Sequence, residues 1–236
     1  MKDHTVKAYD DELDQLDALI ATMGKRVERM LSDAVEGLEH RNVTKSEEAV
    51  MADTLVDKIH REIEELSVSV IARRQPVGQD LRRIVGAMRV AVDLERIGDL
   101  GKNTAKRTLA ISGVDYPKPL MTGLQGMFRL AVEQLRDVLD AYMARNAEKA
   151  VAVWNRDAEI DNMLNALFRE YLTYMMEDPR NIGITTHLLF GAKNIERVGD
   201  HATNIAETVY YVVHGSDMGE QRPKADVTSS SLVSSG

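Results

Sequence analysis

The sequence repeats one helical plan twice, and this internal repeat is its strongest constraint on the fold. Matching residues lie 104 positions apart through most of each half, and 101 positions apart after about three residues are lost near Pro179. A chain with such a repeat is expected to form two similar units. The clearest matches are Arg41-Asn42 with Arg145-Asn146, Asp53 and Asp57 with Asp157 and Asp161, and the segment Glu95 to Asp99 with Glu196 to Asp200.

Apolar residues recur every three or four positions, which is the period of an amphipathic helix. The first stripe runs from Leu13 to Leu38, and the second helix is predicted to begin with a capping box at residues 44–47 and to end at Pro76. We predict an all-α protein of six long helices in two pseudo-symmetric three-helix bundles. The predicted first bundle is 1–112, the linker is 113–119, the second bundle is 120–214, and a disordered tail is 215–236.

Composition excludes several classes of function. Thirty Lys and Arg residues against 38 Asp and Glu residues give a net charge of −8, so the general attraction to nucleic acid is missing. The absence of cysteine excludes disulfides and thiolate metal sites. No secretory signal and no apolar run of membrane-spanning length are visible, so we predict a cytoplasmic protein that does not insert into membranes. No nucleophile with a nearby base is visible either, and we predict no enzymatic activity.

Acidic and amide residues recur at four-residue intervals in the third helix of each half. Residues four apart share a helix face, so these side chains are expected to form one polar line. Like charges at this spacing repel, and buried carboxylates need a partner. The second helix of each half offers further carboxylates across from that line. The predicted metal ligands are Asp53, Asp57, Glu95, Asp99 and Asn103 in the first half, and Asp157, Asp161, Glu196, Asp200 and Asn204 in the second.

Oxygen ligands without thiolates favour Mg²⁺, Mn²⁺, Ca²⁺ or iron. The alternative is a charged seam in which Lys and Arg of neighbouring elements neutralise the carboxylates. Gly98 and Gly199 lie inside the same helices, where glycine is costly unless another backbone or a ligand approaches closely. The adjacent Arg96 and Arg197 are expected to reach elsewhere, because neighbouring residues on a helix point about 100° apart. His60 and His201 are weaker candidates, more typical of helix flanks.

Four segments together resemble the PhoU family, the phosphate-specific transport accessory proteins. They are the two E-R-[IV]-G-D segments, residues 72–76 (Ala-Arg-Arg-Gln-Pro) and residues 172–180 (Leu-Thr-Tyr-Met-Met-Glu-Asp-Pro-Arg). The resemblance extends from the first helix to about His214. It implies two pseudo-symmetric three-helix bundles, a homodimer, and multinuclear metal sites at the carboxylate motifs. Because Leu100 stands where the second half has His201, the two sites need not hold the same metals.

The resemblance also implies a regulatory function in phosphate homeostasis. Proteins of this family are expected to repress the sensor histidine kinase of the phosphate two-component system when phosphate is abundant, and to restrain the phosphate ABC transporter. The implied partners are that kinase and the ATPase subunit of the transporter. Two other classes stay open: a metal-free helical adaptor, and a di-iron carboxylate oxidase. The oxidase is disfavoured because only Asp57-x-x-His60 approaches the paired E-x-x-H motifs of such enzymes.

Overall fold

In the computed structural model of the chain, the described residues are 2–114 and 119–219. Within these ranges all regular structure is helical. The first half contains α1 (Lys2–His40), α2 (Val43–Arg74) and α3 (Gly78–Ile111). The second half contains α4 (Pro119–Ala144), α5 (Ala147–Asn155), α6 (Asp157–Glu177), a 3₁₀ turn (Pro179–Asn181) and α7 (Ile182–His214). Most of the predicted linker, at 115–118, and the predicted tail from 220 onward lie outside the described residues.

The repeated Arg-Asn pair forms the same helix turn in both halves. Arg41 and Arg145 adopt left-handed backbone conformations with φ of 52° and 51°, which ends α1 and α4. The next residue caps the following helix: the Asn42 side chain accepts from the Lys45 amide at 3.2 Å, and the Asn146 side chain does the same for Lys149 at 2.9 Å. The predicted capping box at residues 44–47 is therefore wrong, because α2 has already begun at Val43.

The long fifth helix of the predicted plan is divided in two at Arg156, which separates α5 from α6. The Arg156 carbonyl accepts from the side-chain nitrogen of Gln134 and from the Glu159 amide, each at 3.0 Å. The bond from Glu159 spans three residues, as in the tight turn of a 3₁₀-helix. In the first half, α2 runs unbroken through the equivalent region and ends at Arg74, just before Pro76, as predicted.

The two halves pack through α3 and α7, which lie side by side at the centre of the molecule. In the first half, α3 also packs against α1 and α2, and in the second, α7 packs against α4, α5 and α6. A second contact joins α1 to α4, where Asp17 accepts from Arg83 at 2.6 Å, from Arg145 at 2.7 Å and from the Tyr142 hydroxyl at 3.1 Å. Of the helices in the described ranges, none is long and apolar enough to cross a bilayer.

Candidate functional site

The first carboxylate cluster lies between α2 and α3 and contains a lysine. The Lys102 ammonium donates to Asp53 Oδ2 at 2.6 Å and to Asp99 Oδ1 at 2.5 Å, so it joins the two helices. Burial opposes the charge of Lys102, but the bonds to Asp53 and Asp99 outweigh burial and raise its pKa. Lys102 was not among the predicted residues. The cluster is thus neutralised in part by a side chain of the protein itself.

Glu95 is partly buried, as are Asp53 and Asp99. Burial and the nearby Asp99 charge raise the pKa of Glu95, while Arg96 and His60 oppose the shift. Arg96 lies 3.5 Å from Glu95 and 3.6 Å from Asp99, so the expectation that this arginine reaches elsewhere is wrong. Its side chain is 57% exposed, and such a pair contributes little to stability. Asp57 also acts on Glu95 and raises its pKa slightly.

The second cluster lies between α6 and α7 and is more deeply buried. Asp157 and Asp161 are each 3% exposed, and Glu196 is 4% exposed. The Thr203 hydroxyl donates to Asp157 Oδ1 at 3.0 Å, and the Lys193 ammonium donates to Glu196 Oε1 at 3.0 Å. The other oxygen of Glu196, Oε2, is buried and has no hydrogen-bond partner among the described residues. A buried acceptor without a donor costs about 1–3 kcal/mol.

The surroundings of Glu196 in the second cluster disfavour its charged form. Burial is the main cause that raises the pKa of Glu196. The Lys193 ammonium lowers it in part, and the carboxylates of Asp200 and Asp161 raise it again. These contributions show that Glu196, Asp161 and Asp200 lie close enough to interact. The structure therefore brings together carboxylates of α6 and α7 that the sequence placed on facing helices.

The two predicted asparagine ligands lie away from the clusters. Asn103 is exposed on α3. Asn204 donates to Asp93 Oδ1 at 3.2 Å, and His201 Nδ1 lies 2.8 Å from the same oxygen. Asp93 belongs to α3, so these side chains join the two halves of the molecule. Each asparagine follows the glutamate of its motif by eight residues. At about 100° per residue, this rotates its side chain by about 80° around the helix axis, away from the glutamate.

The motif glycines provide room for apolar packing. A Cβ added at Gly98 would lie 3.5 Å from Val56 Cγ1, and one added at Gly199 would lie 2.7 Å from Ile160 Cδ1. Val56 and Ile160 occupy equivalent places in the repeat and are both buried. At Gly199 the close neighbour is therefore a side chain of the neighbouring helix α6, whereas at Gly98 an added methyl group would make only ordinary contact with α2. Both contacts lie at the level of the carboxylates.

The two clusters differ in how well their residues fit a metal ion. Nowhere in the described ranges do three acidic or histidine side chains already stand together as a metal site. In the first cluster, the Lys102 ammonium lies between the oxygens that a metal would need. In the second, Glu196 Oε2 is buried without a donor, and the charges of Asp161 and Asp200 act on the same carboxyl group. Oxygen atoms of this kind suit a hard cation, so the chemistry of the second cluster suits such an ion better than that of the first, although neither cluster is already arranged as a metal site among the described residues.

Comparison with known proteins agrees with this repeated architecture. A model of the PhoU domain matches residues 20–108 and again residues 124–209. The chain belongs to the PhoU family. It is 50% identical over 226 residues, 96% of its length and 95% of the relative's, to the phosphate-specific transport system accessory protein PhoU homolog of Rhizobium meliloti (strain 1021). It is 33% identical over 214 residues, 91% of its length and 88% of the relative's, to the accessory protein PhoU of Escherichia coli (strain K12).

Solved PhoU structures share the fold. PhoU from Pseudomonas aeruginosa superposes with a TM-score of 0.85 at 32% identity, covering 88% of this chain and 100% of that one. The phosphate transport system regulatory protein PhoU from Streptococcus pneumoniae gives a TM-score of 0.82 at 27% identity, covering 90% and 100%. These similarities confirm the predicted family and the predicted all-α fold.

Proposed function

We propose that this PhoU-family chain is a regulatory accessory protein of phosphate-specific transport. The observation that supports this most directly is 50% identity along 96% of the chain to a protein named for that role. The proposed activity is negative regulation: with phosphate abundant, the protein holds the phosphate sensor kinase in its repressing state and restrains uptake by the phosphate ABC transporter. It acts by binding these partners, without catalysing a reaction.

The proposed direct partners are the cytoplasmic sensor region of the kinase and the ATPase subunit of the transporter. The chain is proposed to act in the cytoplasm and as a homodimer. Deleting the gene in phosphate-replete cells should switch on a phosphate-starvation reporter and raise phosphate uptake. A reporter that stays silent after deletion, with wild-type uptake, would contradict the regulatory role.

We further propose that the second cluster binds a divalent or trivalent cation, with Mg²⁺, Mn²⁺ and iron as candidates. Asp157, Asp161, Glu196 and Asp200 would hold it, because Asp161 and Asp200 act electrostatically on Glu196 and the buried Glu196 Oε2 lacks a donor. A bound cation supplies positive charge and open coordination positions that can accept an oxyanion or a carboxylate of a partner. The buried glutamate is the part of the chain that this charge would neutralise. Metal content and partner binding should therefore vary together.

The matched experiment compares two double variants that each lose two negative charges. Glu196→Gln with Asp200→Asn changes the second cluster, while Asp140→Asn with Glu148→Gln changes exposed carboxylates elsewhere. Bound metal is measured by elemental analysis after reloading, and kinase binding by titration with the purified sensor region. The cluster variant should lose at least tenfold in both measurements, and the control variant should match wild type. Unchanged values in the cluster variant would reject the coupling of metal to docking.

A metal-free helical adaptor is the second candidate, and the lysines favour it. Lys102 and Lys193 both reach into carboxylate clusters, as expected of a charged seam. An adaptor of this kind would return no stoichiometric metal after chelation and reloading, yet would still bind its partners. The di-iron oxidase is tested separately, by oxygen-dependent oxidation of Fe²⁺, which we expect the protein not to catalyse.

A further inference from the structure

We propose that Lys102 closes the first carboxylate cluster to divalent cations by taking the position of a metal. The second cluster would then be the only one of the two that takes up an ion. The inference deepens the proposed metal role and rests on that role only for its statement about the second cluster. It predicts that the two halves, although built on one plan, differ in metal content.

The first argument is the geometry of the ammonium group. Lys102 Nζ lies 2.6 Å from an oxygen of Asp53 on α2 and 2.5 Å from an oxygen of Asp99 on α3. These are short, charge-assisted hydrogen bonds to two different helices. A divalent cation that bridged α2 and α3 would need the same two oxygens. Because the cation and the ammonium repel each other, the lysine must leave before a metal can bind.

The second argument is the position of Lys102 in its helix. It follows Glu95 by seven residues, which is two turns with a rotation of only about 20°, and so it faces the cluster. It also follows Asp99 by three residues, a spacing that brings side chains together. Its ammonium is therefore held to the cluster by the helix itself. A lysine placed eight positions after Glu95 would instead point toward the side where Asn103 is exposed.

The third argument is the residue that stands at the equivalent place in the second half. The offset of 101 puts Thr203 opposite Lys102, and the Thr203 hydroxyl donates to Asp157 at 3.0 Å. A hydroxyl satisfies one carboxylate oxygen but adds no positive charge. Lys193 does add a positive charge to the second cluster, but its side chain is 42% exposed, against 21% for Lys102. Glu196 Oε2 still has no hydrogen-bond partner among the described residues. Among the described residues, the second cluster thus has a buried carboxylate oxygen without a donor, and the carboxylates of the first cluster have none.

The experiment replaces Lys102 by the residue of the other half. Lys102→Thr is made in a background in which Glu196→Gln and Asp200→Asn disable the second cluster, and Lys102→Arg is the control that keeps the positive charge. Bound Mn²⁺ is measured by equilibrium dialysis, and thermal unfolding is followed with and without Mn²⁺. The background protein and its Lys102→Arg form should bind no stoichiometric Mn²⁺. The Lys102→Thr form should bind about one Mn²⁺ per chain and unfold at a higher temperature when Mn²⁺ is present.

Two results would overturn the inference. One is stoichiometric binding of Mn²⁺ to the background protein, in which Lys102 is unchanged. This measurement does not depend on whether the Lys102→Thr variant folds. The other is a folded Lys102→Thr protein, with wild-type helical content, that gains neither Mn²⁺ nor thermal stability from it. Failure of the proposed metal role is a separate outcome, seen as a lack of Mn²⁺ on the wild-type protein, where the second cluster is intact.

Discussion

Alanine replacements at Gly98 and Gly199 should change stability in opposite directions, although the two glycines occupy the same place in the repeat. Both lie inside long helices, where alanine is favoured over glycine by about 1 kcal/mol. At Gly98, the added Cβ would meet Val56 at 3.5 Å, which is ordinary van der Waals contact. Gly98→Ala should therefore raise the free energy of unfolding by about 0.5–1 kcal/mol.

At Gly199, the added methyl group would stand 2.7 Å from the terminal carbon of Ile160, which is 1% exposed. Ile160 must move inside a filled core, and such overpacking costs about 1–3 kcal/mol. After the gain in helix propensity is subtracted, Gly199→Ala should lower the free energy of unfolding by up to about 2 kcal/mol. In a chain of this size, 1 kcal/mol corresponds to a shift in melting temperature of about 2–4 °C.

The assay is thermal and urea unfolding of the metal-free variants, followed by circular dichroism. Ile160→Val in the Gly199→Ala background removes the clashing carbon and should recover part of the loss, whereas the same valine in the wild type should cost about 0.5–1.5 kcal/mol. A Gly199→Ala protein as stable as Gly98→Ala would refute the packing argument. Failure of both variants to bind metal after reloading, with unchanged stability in the metal-free state, would instead indicate that the glycines face a ligand.

Three further predictions concern single side chains. Glu196→Gln should stabilise the metal-free protein at pH 7. Burial raises the pKa of Glu196 in the folded state, so the contribution of Glu196 to stability is present below its unfolded pKa near 4.5 and is lost as pH rises through its folded pKa. Urea unfolding across that range should show this loss of stability in the wild type and not in the variant. Asp17→Asn should lower the free energy of unfolding by about 2–3 kcal/mol, because Arg83 and Arg145 lose the charged acceptor that they share. Asp14→Asn is the control, because it changes an exposed carboxylate that also pairs with Arg83 and should cost less. Asn42→Ala should cost about 1 kcal/mol in the same assay.

The helices could be predicted from sequence because a single physical pattern specifies each of them. The stripe from Leu13 to Leu38 is buried along α1, with every member at or below 4% exposure. The end of α2 before Pro76 follows from the missing amide of proline. The start of α2 was misplaced because Thr44 and Asn42 are both good capping residues, and sequence alone does not say which residue already has helical geometry.

The break at Arg156 could not be predicted because its cause lies on another helix. Arg156 and Ala52 are equivalent in the repeat, and both residue types favour helices. What differs is a buried amide on α4: Gln134 donates to the Arg156 carbonyl, and its equivalent in the first half is Met30, which has no such donor. A tertiary hydrogen bond has overridden local propensity here.

In the candidate site, the rule that residues four apart share a helix face held for residues four positions apart and failed for residues eight positions apart. One step of four residues rotates a side chain by only about 40°, so Glu196 and Asp200 remain neighbours. Two steps rotate it by about 80°, which turns Asn204 toward Asp93 on α3. The step of seven residues, which leads from Glu95 to Lys102, was the signal in the sequence that could have identified the bridging lysine.

The repeat has kept apolar residues beneath the motif glycines, Val56 and Ile160, although the two differ in size. It has diverged at polar positions such as Lys102 and Gln134, whose equivalents are Thr203 and Met30. Partly exposed ion pairs contribute little to stability, so a lysine at position 102 and a threonine at position 203 can each be accommodated without loss of the fold. The same exchange changes the net charge of a carboxylate cluster by one unit, which is a large effect on its affinity for a cation. Family membership therefore predicts the architecture of both halves, whereas the proposed difference in metal binding between them would depend on a few charged side chains.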